Sequence, residues 1–373
     1  MFSNSVIQWI PDHEELINNH LSITADGGVN MSIKKVTVCF IYLAIGFILS
    51  CTAAANRNNL LNDGYHNVAD YKFDPATTLE SRIQVIPDSI IKSLMRFDKR
   101  NDYQPYMPTA GELKMFAEYI KVIPSANRQV IQSSLVRIHF VKNFIGAGMT
   151  DFILSKDRKV YTILYINPSV FTTGISEWLT YRENSMFKNN DNAHVKVDCG
   201  KKYTAFMYVL LHETSHIVDY VYPRTPYTDP NYAAAQGLSG GMTPFVEGLW
   251  VSYKVMDKKT EITESRDLHA YGLYPATIDA SKISSLYEKL SRTPVMSAYS
   301  SKSWAEDFAD TITFYHLTQK LKQPFTITIS EKGKSDVVYQ PMKTAQPPAR
   351  LKVINGMYES SFKQAKEGET ADE

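Results

Sequence analysis

The sequence predicts an α+β fold: a small mixed sheet, then a long helix with a polar centre, then a mainly helical second half. Residues 135–168 switch to short β-branched and aromatic runs separated by turn signals, which reads as a sheet. Residues 203–222 contain no Gly or Pro and place Phe206, Val209, Leu210, Ile217 and Tyr220 at helical spacing. Beyond residue 243, helical periods return and strand signals fade until residue 325.

Residues 1–30 are polar and unpatterned and read as a mis-called N-terminal extension, with Met31 as the true start. Residues 31–50 combine Lys34 and Lys35, an apolar run and the small Ser50. That is a secretory signal, because a spanning helix needs roughly 20 apolar residues. Its end, Ile48-Leu49-Ser50-Cys51, resembles a bacterial lipobox. The resemblance implies that Cys51 is lipid-modified, becomes the first mature residue and anchors the chain to a bacterial membrane outside the cytoplasm. Thr52 in place of Asp implies the outer membrane in a Gram-negative host. Cleavage near Ala53–Ala55 without a lipid is the alternative. The Asn-rich stretch 51–78 reads as a tether.

The main domain spans 79–325. Helices are expected over 88–97, with Asp88 as cap after Pro87, over 111–122, and from Pro124 to 132. Strands follow at 135–141, 150–154 and 160–167, with turns at Gly146–Gly148 and Lys156–Arg158. His139 mid-strand, His194 in a polar loop and the lone Cys199 read as structural or solvated. Pro223 closes the long helix and opens a Pro-rich loop to Pro230. Thr243-Pro244 opens an expected helix through Trp250 towards Val255, residues 257–270 read as a charged surface excursion, and 283–290 as a helix. Residues 326–373 form a C-terminal extension: most of a strand pair (325–329 and 337–339), a short helix and a charged end.

Bulk composition excludes more than it selects. A formal net charge of +1 without a basic stripe gives no electrostatic case for nucleic acid. Of three cysteines, Cys39 and Cys51 lie in the signal region, so Cys199 alone cannot build a disulfide framework.

The chemistry sits in His212-Glu213-Thr214-Ser215-His216. Residues four apart share a helix face, so both imidazoles can aim at one point. Neutral imidazoles suit Zn²⁺, and Glu213, one step round the helix, is placed to act as general base on a zinc-held water. A catalytic zinc keeps three protein ligands, and the best third is Glu306, with Asp310 one turn later on the same face to accept the ring N–H of a ligand histidine. Glu306 also completes a capping box with Ser303, which explains the same letters without metal. Glu247 and His269 are weaker rivals. Tyr299 is the candidate oxyanion donor. Asp219 is either a further partner of the ligands or a cap.

His-Glu-x-x-His followed by Glu306-x-x-x-Asp310, within Met296-Ser-Ala-Tyr-Ser-Ser-Lys-Ser-Trp-Ala-Glu-Asp-Phe-Ala-Asp310, resembles bacterial gluzincin-type metallopeptidases with a lipoprotein signal. The resemblance implies a zincin-like fold with an edge strand bordering the cleft. It implies one catalytic Zn²⁺ on His212, His216 and Glu306, and hydrolysis of protein or peptide substrates in the cell envelope. Two alternatives stay open: a metal-retaining envelope binding protein that cleaves nothing, and a metal-dependent amidase acting on cell-wall material.

The lipobox reading makes a direct prediction. Cys51→Ser expressed in a bacterial host should move the protein from the membrane to the soluble envelope fraction and abolish labelling by fatty acid. Unchanged membrane retention and labelling would contradict it.

Overall fold

The computed structural model describes residues 67–188, 192–238 and 240–359. The expected extension, signal, Cys51 and most of the tether lie outside the described residues. Among the described residues, no helix is long and apolar enough to cross a membrane.

Helix α1 (Asp88–Phe97) begins at Pro87, which holds the extended cap position itself and leaves Asp88 as the first helical residue. Strand β1 (Gln104–Tyr106) leads to α2 (Ala110–Ile120). Thr109 and Glu112 close a reciprocal capping box there, a signal that the sequence carries plainly. Helix α3 (Ser125–Ser134) runs directly into β2 (Leu135–Lys142), followed by β3 (Gly148–Leu154) and β4 (Val160–Ile166).

These four strands form one mixed sheet in the order β1-β2-β4-β3. β2 and β4 are parallel, and the β1–β2 and β3–β4 pairs are antiparallel. The two central strands are buried on both faces, which is why most of their residues are apolar on either side of the pleat. On one face, Val136, Val141, Ile163 and Tyr165 pack with Ile90, Ile91 and Leu94 of α1. The other face carries Ile138, Phe140, Leu164 and Ile166 into the main core. His139 is buried in β2, where its Nδ1 bonds the Gln84 carbonyl at 2.8 Å and its ring stacks on Tyr165, so it is a core histidine as expected.

Helix α4 (Ile175–Asn184) precedes β5 (Ala193–Asp198), and α5 (Ala205–Val221) covers the main core. β5 alternates buried and exposed, with His194 on its exposed side rather than in a loop. Cys199 is buried and unpaired. Then come α6 (Pro230–Gln236), α7 (Ile283–Leu290), α8 (Trp304–Tyr315), β6 (Thr326–Glu331), β7 (Val337–Tyr339) and α9 (Pro348–Gly356).

Two further sequence expectations need correction. Residues 243–255 are turns ending in a small strand pair, Trp250–Ser252 with Val255–Met256, rather than a helix. Gly248 at φ 72° takes the left-handed conformation that stops a helix, and the Trp250 indole N–H is drawn to Asp307 at 2.9 Å. Residues 257–270 are not simply a surface excursion, because Ile262, Leu268 and Ala270 are buried beneath their charged neighbours. Within the expected C-terminal extension, β6 pairs antiparallel with β5 along six residues. Arg350 on α9 reaches Asp307 on α8 through two bonds of 2.7 and 3.0 Å, both side chains fully buried.

The far end of α8 supplies a pH-sensitive contact. His316 bonds the Val122 carbonyl through Nε2 at 2.7 Å and the Tyr358 hydroxyl through Nδ1. Burial pushes its pKa down from 6.5 to about 4. The unfolded ring therefore binds a proton that the folded ring refuses between those values, and stability is lost as pH falls through that window. Urea unfolding at pH 7 and pH 4.5 should show a loss about 2–3 kcal/mol larger in the wild type than in His316→Gln. Equal losses would contradict this account.

Candidate metal centre

Helix α5 is buried along most of its 17 residues. Polar groups in its middle must therefore find partners within the protein. His212 and His216, one turn apart, face α8, and Glu306 in the first turn of α8 faces them. His212 Nε2 lies 3.1 Å from His216 Nε2 and 3.1 Å from Glu306 Oε2, and His216 Nε2 lies 3.7 Å from the same oxygen. The three ligand atoms fall within 4.8 Å of one another, so the group could hold a metal ion. Ser303 keeps its half of the capping arrangement by accepting the Glu306 N–H at 3.3 Å, while the Glu306 carboxylate turns to the histidines. The capping reading and the ligand reading are thus compatible, each using a different part of the residue.

Electrostatics describe the same convergence. Burial works against a charged His212, but the Asp310 and Glu306 carboxylates override it and lift the pKa to about 10. Burial likewise opposes ionisation of Glu306, and the two imidazoles reverse that, holding it well below the carboxylate range. The three groups thus stabilise one another's charged forms, an environment that could also accommodate a metal cation.

Asp310 does what its spacing suggests. Its Oδ1 sits 2.9 Å from His212 Nδ1, fixing that ring so that Nε2 faces Glu306. The Tyr208 hydroxyl donates to the same Oδ1 at 2.9 Å, and Ser300 donates to Oδ2 at 2.8 Å. The buried Nδ1 of His216 has no hydrogen-bond partner among the described residues.

Glu213 points away from α8 towards β3. Thr150 donates to its Oε2 at 2.9 Å, and burial raises its pKa despite both imidazoles. Gly148 is required beside it: a Cβ there would meet Val209 Cγ1 at 3.0 Å and Glu213 Cγ at 3.1 Å. β3 is therefore an edge strand that approaches α5 closely and carries one wall of the cleft.

That cleft, of about 220 Å³, exposes His212, Glu213, His216 and Glu306 beneath Tyr253 and Tyr299. Tyr299 lines it with its ring centroid 6.0 Å from that of His212, and burial keeps its hydroxyl protonated. Asp219 is neither ligand nor helix cap. Its carboxylate accepts the Arg224 and Thr225 N–H groups at 2.7 Å each and the Thr225 hydroxyl at 2.6 Å, tying down the loop that brings Thr228 to the cleft. Glu247 is exposed on a turn, and neither it nor His269 belongs to the ligand group.

Sequence reasoning missed Thr150, Tyr208, Arg182 and Glu183. Tyr208, four residues before His212, shared its helix face and was findable. The others come from distant elements with no local signal. Comparison with protein-family models, with curated proteins and with solved structures found no match to this chain.

The geometry makes a metal-binding prediction. Glu306→Ala should lose most bound metal, Asp310→Asn should bind it about 10–100-fold more weakly, and Glu247→Ala should leave it unchanged. Chelator competition measures all three; loss in Glu247→Ala with retention in Glu306→Ala would move the third ligand.

Proposed function

We propose that this chain is a zinc-dependent metallopeptidase with a zincin-like fold, acting on proteins or peptides in the cell envelope and held to a membrane through Cys51. The observation that carries the reading is the convergence of His212, His216 and Glu306 beneath an open cleft, with Glu213 beside them. Two imidazoles and a carboxylate are a zinc donor set that leaves one coordination position open. The site's electrostatics also favour a cation, since Glu306 is held well below the ordinary carboxylate range between the two imidazoles and brings a negative charge that a cation would offset. Bound zinc would activate a water and polarise a carbonyl as a Lewis acid.

The chain's own residues supply the rest. Glu213, oriented by Thr150, accepts a proton from the attacking water and returns it to the leaving amine. The protonated Tyr299 hydroxyl donates towards the developing oxyanion. The outer edge of β3 runs beside the cleft, where an extended peptide can pair with it as an added strand.

Glu213→Gln tests the assignment. It should retain zinc and fold normally while hydrolysis of a denatured-protein or peptide library falls by about 10²–10⁴-fold. Full activity in that variant would remove Glu213 from the mechanism. Wild-type protein that binds zinc but cleaves no peptide, with or without chelator, would favour a binding protein. Amide cleavage confined to cell-wall material would favour an amidase.

A further inference from the structure

The end of α4 places Arg182 and Glu183 side by side, both fully buried and more than a hundred residues from α8 in sequence. A buried Arg–carboxylate pair is costly unless its remaining donors and acceptors are satisfied, and here they are. Arg182 Nε donates to Glu183 Oε1 at 3.0 Å, and Nη2 donates to Ser297 at 3.1 Å. Nη1 lies 3.2 and 3.1 Å from the two oxygens of Asp310 and donates also to the Tyr208 hydroxyl. One face of the guanidinium lies against the Tyr299 ring, 4.6 Å from its centroid. Glu183 uses its second oxygen to accept the Ala298 N–H at 3.1 Å and the Tyr287 hydroxyl.

Two of the groups held in this way meet the candidate metal centre. Asp310 bonds His212, and Tyr299 lines the cleft with its ring 6.0 Å from that of His212. Segment 297–300, which carries Tyr299, is gripped by Arg182 at Ser297 and by Glu183 at Ala298. Resting on the reading of His212, His216 and Glu306 as metal ligands, we infer that Arg182, backed by Glu183, is a positioning residue that sets both the ligand orientation of His212 and the placement of Tyr299. A planar fork is needed for this. Lysine offers a point charge and cannot reach Glu183, Ser297 and Asp310 together while presenting a flat face to Tyr299.

The test uses the full chain and Zn²⁺ alone, with competition by a chromophoric chelator. Folded Arg182→Lys should bind zinc about 10–100-fold more weakly than wild type. At saturating zinc, its kcat on a peptide should fall while KM stays within about twofold, since Tyr299 acts on the transition state. A purely structural Arg182 would lower the unfolding midpoint and leave the zinc affinity of the folded protein unchanged, and that result overturns the inference. If Arg182→Lys fails to fold, Glu183→Gln loosens the same guanidinium without touching Asp310. It should weaken zinc binding several-fold, and wild-type affinity there is equally fatal. Failure of the wild type to bind zinc would instead defeat the metal-centre reading on which this inference rests.

Discussion

Where α5 meets α8, the candidate site is ordered by the bond between His212 Nδ1 and Asp310 Oδ1, 2.9 Å long and between two buried side chains. Without it, two histidines would sit in the middle of a buried helix with no fixed tautomer, and Glu306 would have no reason to leave its cap. With it, the Nδ1 edge of the ring is bonded to Asp310 and the Nε2 edge faces His216 and Glu306. Several buried polar side chains hold the Asp310 end of this bond in place. Ser297, Ser300, Tyr208 and Arg182 all converge on Asp310.

The sheet serves the same arrangement from the other side. α5 lies close to β3 because Gly148 has no side chain, and Thr150 on the same strand steadies Glu213. Glu213 is thereby held by the sheet while His212 is held by Asp310 and Glu306 on α8, so the two halves of the fold meet at one turn of α5. Asp219, at the end of α5, ties down the next loop and fixes the cleft's third side.

Much of this was legible in the sequence where physics is local. A four-residue spacing on an uninterrupted helix places His212 with His216, and Glu306 with Asp310, whatever surrounds them. The strands at β2, β3 and β4 were written in short β-branched and aromatic runs bounded by turn signals. What remained hidden depends on contacts between distant segments. Nothing local to Arg182 marks it as buried, because its partner Asp310 lies 128 residues later. The stretch from Thr243 misled because a good helix start says nothing about Gly248, whose left-handed conformation ends it. The C-terminal strand pair read as an extension because pairing of β6 with β5 crosses more than a hundred residues.

Crystallography of zinc-loaded protein with anomalous data at the zinc edge tests the central claim most directly. The account predicts one strong peak about 2.0–2.2 Å from Nε2 of His212, Nε2 of His216 and a carboxylate oxygen of Glu306. Zinc bound elsewhere, or a protein that takes no zinc under saturating conditions, would contradict it.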